Sequence, residues 1–179
     1  SLFGVDAVRF IMLHEMPFAQ DGHVTYELMV ERINTDLANN LGNLVNRTLS
    51  MQNKYFAGLV QNPGVNEPVD EDLKNVVMKT VKQIDEKMDE LRVADSLDLI
   101  LDLFKRFNKY VDETMPWVLA KDDSKKARLS TVLYNLVESI RFGTVLLQPF
   151  MPDTADKICA QLNTDKTTYD TLDKFGYYE

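Results

Sequence analysis

The sequence predicts an all-α protein folded as an antiparallel helical bundle. Glycine is scarce, at 7 of 179 residues, and runs of β-branched residues are short. Apolar residues recur at steps of three and four along most of the chain, which is the spacing of helices with one buried face. The connections between these segments are short, and short connections favour antiparallel packing of neighbouring helices.

The first predicted helix covers residues 4–15. Its buried side is predicted to carry Val5, Val8 and Met12, with Phe10 or Ile11 beside them. Pro17 ends this helix, and residues 16–24 are predicted to be irregular because Asp21-Gly22 is a turn signal.

A long second helix is predicted to begin after an N-cap at Thr25 and to reach about Phe56. Its apolar stripe keeps helical spacing throughout and consists of Ile33, Leu37, Leu41, Leu44, Thr48, Met51 and Tyr55. Gly42 lies inside this helix and costs about 1 kcal/mol relative to alanine. That cost predicts a kink there, or the close approach of another helix.

A loop at 61–70 contains Pro63-Gly64 and Pro68 and leads into the rest of the bundle. Further long helices are predicted at 71–92, 96–114 and 125–148. Pro116 ends the second of these. A short helix is predicted over 152–162, with Pro152 near its first position. The polar, tyrosine-rich tail at 163–179 is predicted to be partly extended.

The net charge of −8, from 20 Lys and Arg against 28 Asp and Glu, argues at first against a nucleic-acid partner. The charge is uneven, however. Residues 67–102 carry −6, residues 25–61 are neutral and residues 103–148 carry +3. The acid is therefore concentrated on one helix and its flanks, and RNA binding by the other helices remains open.

Several functional classes find no support in the sequence. It has no 18-residue apolar window and no signal-peptide pattern, so we expect no membrane association and a cytoplasmic location. The single Cys159 excludes an intramolecular disulfide and is expected to be a small core residue. Two histidines, His14 and His23, have no metal-ligand spacing, and the phosphate-loop, dinucleotide and nucleophile-elbow motifs are absent. We therefore predict no catalytic residue, metal site or cofactor in this chain.

Two polar or aromatic features are less ordinary. Asn39, Asn43 and Arg47 are spaced at i, i+4 and i+8, on one side of the second helix and away from its apolar stripe. Asparagine is a poor helix former, and amides with a guanidinium offer the donors and acceptors that base edges require. Hydrogen bonding between helices would explain them equally well. Trp117, the only tryptophan, follows Pro116 at a helix end, where it is either a core plug or a plate for a stacked base.

These residues also carry a family resemblance. Residues 36–47, Asp-Leu-Ala-Asn-Asn-Leu-Gly-Asn-Leu-Val-Asn-Arg, resemble the anticodon-domain helix of methionyl-tRNA synthetases. Residues 112–121, Asp-Glu-Thr-Met-Pro-Trp-Val-Leu-Ala-Lys, resemble a second signature of the same domain. Gly-Val-Asp-Ala-Val-Arg-Phe at 4–10 and Gln-Pro-Phe-Met-Pro at 148–152 are also similar to the family, in the right order.

The resemblance implies a stem-contact remnant at 1–24, a helical-bundle anticodon-binding domain at 25–162 and a C-terminal tail at 163–179. It implies that Asn43 and Arg47 contact bases of the CAU anticodon of methionine tRNA and that Trp117 stacks on an anticodon base, with Asn39 as a weaker candidate. Six cations are candidates for phosphate contacts: Lys105, Lys109, Lys121, Lys125, Lys126 and Arg128. Phe10 and His14 depart from the usual family residues, Tyr and Arg.

The family's His-x-Gly-His and Lys-Met-Ser-Lys-Ser signatures are absent, as are its zinc-binding cysteines. The resemblance therefore implies a chain that is inactive alone and whose partners are methionine tRNA and the catalytic domain of a parent methionine–tRNA ligase. ATP, and zinc in some members, would belong to that catalytic domain. Two alternatives remain: the anticodon-binding domain of a leucine, isoleucine or valine synthetase, or a helical protein-interaction bundle without RNA.

Overall fold

The computed structural model describes residues 4–16 and 22–178 and confirms the all-α fold, with no β-strand in those ranges. The helices, in chain order, are α1 (Val5–Glu15), α2 (Tyr26–Arg32), α3 (Asn43–Phe56), α4 (Pro68–Asp89), α5 (Val93–Thr114), α6 (Pro116–Leu119), α7 (Lys126–Leu147) and α8 (Pro152–Leu162). A π-helical segment, Ile33–Gly42, joins α2 to α3, and 3₁₀ turns lie at Asp123–Lys125 and Tyr169–Leu172. None of the helices described is long and apolar enough to cross a membrane.

The centre of the bundle is α7, which is buried at every residue from Arg128 to Leu147. It packs against α3, α4, α5 and α8, and α4 packs along α5. A Cβ atom added to Gly143 of α7 would lie only 2.7 Å from Cζ of the fully buried Phe104 on α5. The glycine therefore allows an aromatic ring of α5 to pack directly on the backbone of α7.

The helix predicted from Thr25 to Phe56 is present, but a π-helical segment separates its two α-helical parts, α2 and α3. The Thr25 hydroxyl accepts a hydrogen bond from the Leu28 amide at 3.2 Å, which confirms the N-cap. The kink or close helix approach predicted at Gly42 is not confirmed. The structure has a π-helical segment that ends there, and a Cβ atom added to Gly42 would lie 3.3 Å from the Leu37 carbonyl oxygen of the same segment. A π-helix loosens the backbone hydrogen-bond pattern, and the carbonyl of Asn40 accepts a bond from the Asn108 side chain of α5 at 2.9 Å.

The predicted buried side of α1 is wrong for Val5, Val8 and Met12 and is confirmed for Phe10 and Ile11. Val5 and Met12 are 68% and 44% exposed and Val8 is also exposed, whereas Phe10 and Ile11 are fully buried. Polar contacts explain this orientation, because the Asp6 carboxylate accepts a bond from the Thr154 amide at the start of α8. Arg9 donates to the carbonyls of Pro149 and Phe150. Pro17 and the predicted turn at Asp21 lie outside the described residues.

The boundary of α4 differs slightly from the prediction. It begins at Pro68 rather than at residue 71, because Glu67 and Asp70 form a capping box and proline suits the first helical position. It ends at Asp89, three residues before the predicted end, which leaves Leu91 in a left-handed turn conformation.

The C-terminal tail is held against the centre of the bundle. Arg141 of α7 donates to the carbonyls of Lys166 and Thr171, at 3.0 and 3.1 Å. Its buried partner Glu138 accepts bonds from the backbone amides of Gly176 and Tyr177. The tail therefore satisfies a buried ion pair that α7 alone would leave incomplete.

Candidate nucleic-acid interface

Asn39, Asn43 and Arg47 form an exposed row, here called the polar row, on the π-helical segment and α3. The Asn43 amide nitrogen donates to the Asn39 side-chain oxygen at 3.3 Å. Arg47 makes no hydrogen bond or ion pair with any residue that the structure describes. On the opposite side of the same helix Leu41, Leu44 and Thr48 are buried, as the stripe predicts. The row thus presents amide and guanidinium groups to solvent rather than to another helix.

Trp117 lies on α6, a single turn of helix that follows the end of α5. Met115 between them adopts a left-handed conformation with φ of 44°, and Pro116 occupies the first position of α6. A left-handed non-glycine residue costs roughly 1–3 kcal/mol, so the surrounding packing must impose it. Trp117 is 39% exposed, and its neighbours Met115 and Val118 are also exposed. The indole is therefore partly accessible at the surface and is not an enclosed core plug.

The helices that carry the polar row and Trp117 run toward the same end of the bundle. The Asn40 side chain donates to the Leu101 carbonyl of α5, and the side chain of Asn108, further along α5, donates to Asn40. The last turn of α3 meets the first turn of α7, and α6 leads into that same turn. Hence α3 and α5 both run toward the α6–α7 connection. No hydrogen bond, ion pair or ring contact joins Trp117 to the polar row within residues 4–16 and 22–178.

A buried polar network braces this end of the bundle. The Asp70 carboxylate accepts two bonds from Arg128, at 2.6 and 3.1 Å, and one from the Tyr110 hydroxyl at 2.5 Å. Burial alone would raise the pKa of Asp70, but the bonds from Arg128 and Tyr110 outweigh it and hold the pKa below its ordinary value. Burial and the nearby Asp70 raise the pKa of Tyr110, which therefore stays protonated and donates.

The network corrects one prediction from the sequence. Arg128 was a candidate for a phosphate contact, yet its side chain is 7% exposed and fully engaged by Asp70, Glu67 and the Val65 carbonyl. Its spacing on α7 gave no sign of this burial, because α7 is buried on every side. Arg128 is therefore a structural residue.

The other candidate cations are exposed but differ in their partners. Lys105 pairs with Asp102 at 2.9 Å and Lys109 with Glu113 at 3.6 Å. Lys121, Lys125 and Lys126 are exposed and form no ion pair in the described part of the chain. Sequence reasoning missed Lys54, although its seven-residue spacing from Arg47 places it on the same face of α3.

His14 and Cys159 have structural roles. The ring nitrogens of His14 lie 2.7 Å from carboxylate oxygens of Glu15 and Asp98, so His14 is a satisfied polar residue as predicted. Cys159 is buried, and burial together with Asp156 raises the pKa of its thiol. No group of three or more His, Cys, Asp or Glu side chains arranged to hold a metal ion occurs among the described residues.

Comparison with known proteins identifies the family. A family model described as the anticodon binding domain of methionyl tRNA ligase matches residues 60–175, well over half of the chain. The chain belongs to this family. A second model, described as tRNA synthetases class I (M), matches residues 1–49. The leucine, isoleucine and valine alternative is thereby disfavoured.

Individual relatives of the anticodon-binding family agree. Methionine–tRNA ligases of Clostridium perfringens and Clostridium acetobutylicum are 48% and 51% identical to this chain over 98% and 97% of its length. The chain spans 27% of the length of each. The apo crystal structure of Mycobacterium tuberculosis methionyl-tRNA synthetase superposes with a TM-score of 0.91 at 37% identity, covering 96% of this chain and 35% of that one.

Proposed function

We propose that this chain binds the CAU anticodon of methionine tRNA, as the non-catalytic part of a methionine–tRNA ligase. The observation that carries the proposal is the exposed Trp117, on the connection between α5 and α7 toward which the helix carrying the exposed polar row runs. Single-stranded RNA loops are read by stacking on aromatic side chains and by hydrogen bonds to base edges, and both kinds of group are present.

In the proposed complex, Trp117 stacks on one unpaired base of the anticodon. Arg47 offers a planar fork of donors to a base edge, while Asn43 offers an amide with both a donor and an acceptor. Asn39 bonds to the Asn43 amide and is the weaker candidate for a direct contact. Neither role requires bond chemistry in this chain.

The chemical step of the parent ligase belongs to parts that this chain does not contain. The family's ATP- and methionine-binding signatures are absent from its sequence, so we expect the chain alone to be inactive. ATP, and zinc where the family uses it, would be held by the catalytic domain. Binding of the anticodon would then position the tRNA so that its acceptor end reaches that domain. We propose the cytoplasm as the location.

A helical scaffold without an RNA partner is the competing function. It requires Trp117 to be buried and the polar row to bond within the bundle. The exposure of Trp117 and the unpartnered guanidinium of Arg47 favour the RNA-binding function instead.

A gel-shift titration of this chain with methionine tRNA, and with the same tRNA carrying a changed anticodon, tests the proposal. We expect preferential binding of the CAU form. Trp117→Ala should weaken that binding by roughly 5- to 150-fold, since a base stack contributes about 1–3 kcal/mol, whereas Trp117→Phe should retain most of it. Equal binding of both tRNAs, or an unchanged affinity for Trp117→Ala, would contradict the proposal.

A further inference from the structure

The cations of this chain fall into two groups by their partners. Ten of its 20 Lys and Arg residues lie within 4.0 Å of a carboxylate in the described structure. Five of those without such a partner are concentrated on the outer face of α3 and in the connection from α6 into α7: Arg47, Lys54, Lys121, Lys125 and Lys126. Half of the ten cations without such a partner in the described structure thus lie near the candidate interface of a chain with net charge −8. The others lie on α1, α4, α8 and the tail: Arg9, Lys79, Lys82, Lys157 and Lys174.

A groove between the last turn of α3 and the first turn of α7 lies within this region. Its volume is about 610 Å³, and its walls include Lys54, Tyr55, Lys126 and Ser130. The Lys54 ammonium lies 5.4 Å from the centre of the Tyr55 ring, which holds the side chain beside the groove. We call this feature the lysine groove.

The lysine groove continues the line of the polar row. Asn43, Arg47 and Lys54 share one face of α3, and Lys54 lies about 10 Å beyond Arg47 along the helix axis, at 1.5 Å per residue. The positive end of the α7 dipole opens at the same place, because α7 begins at Lys126 without a side-chain cap. Asp122 and Asp123 are the nearby acids, and Asp122 is engaged by the backbone and hydroxyl of Ser124.

We propose that the lysine groove binds the phosphodiester backbone of the RNA loop whose bases meet the polar row and Trp117. This inference rests on the proposed function and extends it from bases to backbone. Flexible lysine ammonium groups act as point charges toward phosphate and carry no base information, whereas the planar Arg47 fork can carry it. Lys54 and Lys126 are the phosphate-binding residues, and the paired Lys105 and Lys109 are not.

The test compares two charge-matched double variants. Lys54→Gln with Lys126→Gln removes the groove charges, and Lys105→Gln with Lys109→Gln removes two exposed, acid-paired charges of α5. Binding of an anticodon stem-loop RNA with CAU, and of one with a changed anticodon, is measured between about 50 and 200 mM salt.

We expect the groove variant to bind both RNAs about tenfold more weakly, with the same factor for each RNA. The slope of log affinity against log salt should become shallower by about 1.4, or about 0.7 for each single-strand phosphate that the variant no longer neutralises. The α5 variant should change by less than about twofold, and Lys54→Arg with Lys126→Arg should restore both affinity and slope.

The outcomes separate this inference from the proposed function. If the groove variant keeps its CAU preference, its affinity and its salt slope, the phosphate-binding role of the lysine groove is overturned and the proposed function stands. An equal loss of affinity in the α5 variant would overturn that role as well. Failure of the unsubstituted chain to bind the CAU stem-loop, or to prefer it, would overturn the proposed function and this inference with it. Thermal unfolding of each variant checks that these exposed substitutions leave the fold intact.

Discussion

Trp117 and Arg47 of the candidate interface are held in place by different local structures. Trp117 is set on a one-turn helix by a left-handed Met115 and by Pro116, so its exposure is built into the backbone rather than left to a side-chain rotamer. Arg47 lies on a regular helix and forms no hydrogen bond or ion pair with the residues that the structure describes. The sequence predicted the side on which Asn39, Asn43 and Arg47 lie, because helical spacing determines it. The sequence could not decide whether Trp117 is buried in the core or exposed for stacking, because that depends on what packs around α6.

The planar shape of the Arg47 side chain should matter more than its charge. We expect Arg47→Lys to reduce discrimination between CAU and a changed anticodon by about tenfold, within the range expected when a bidentate bond to a base is removed. The salt dependence of binding should stay the same, since the charge is kept. Titrations of both tRNAs at two salt concentrations measure the two effects. A variant with full discrimination would remove Arg47 from base recognition.

Among the structural elements, the long helices were predictable and their irregularities were not. Thr25 and Pro152 mark helix starts in the sequence and in the structure alike. Pro68, which the sequence placed in a loop, is instead the first residue of α4. The π-helical segment was not foreseen, because apolar steps of three and four fit an α-helix equally well. The orientation of α1 failed for a related reason: both of its sides are apolar, so contacts from Asp6 and Arg9 to the α8 corner decide which side is buried.

The contact of α5 with α7 at Gly143 reverses an ordinary helix rule. Replacing a helical glycine with alanine usually stabilises a helix by about 1 kcal/mol. Here the new methyl group would meet the ring of Phe104, so we expect Gly143→Ala to destabilise the protein by about 1–3 kcal/mol through overpacking. Urea unfolding of Gly143→Ala, Phe104→Leu and the double variant measures this. A stabilised Gly143→Ala, or strictly additive effects, would contradict the close contact.

Across the whole molecule, the charged side chains fall into two groups: buried ion pairs that stabilise the bundle, and exposed residues at its surface. The buried pairs of Asp70 with Arg128 and of Glu138 with Arg141 fasten loops and tail to α7. Four exposed lysines without an ion pair in the described structure, Lys54, Lys121, Lys125 and Lys126, lie near the candidate interface instead. Segment charges in the sequence indicated that the acid was localised, but they could not separate buried from exposed cations. Arg128 and Lys126 look alike until their burial is known.

Acid should weaken the whole fold through Asp70. Its pKa is lower in the folded protein than in the unfolded chain, so its stabilising effect is complete above the unfolded value near 4 and is lost as the pH falls through the folded value. Asp70→Asn should lower the free energy of unfolding by about 3–5 kcal/mol near neutral pH, because Arg128 loses its buried partner. As the pH falls below the unfolded value and through the folded value, the difference from the unsubstituted chain should shrink.

Urea unfolding at several pH values measures that difference. Asp112→Asn, an exposed carboxylate that forms no ion pair in the described structure, serves as the control and should have little effect at any pH. If Asp70→Asn lowers the free energy of unfolding by the same amount from pH 7 to pH 3, the shape of the Asp70 side chain, and not its charge, stabilises the fold.

The fastening of the tail to α7 has a consequence for folding during synthesis. Glu138 and Arg141 complete their hydrogen bonds only with residues 166–177, which leave the ribosome after every helix of the bundle. Translation proceeds at about 5–20 residues per second, so the central helix waits seconds for its final partners. The nascent bundle should therefore remain loose at its centre until residues 166–177 arrive.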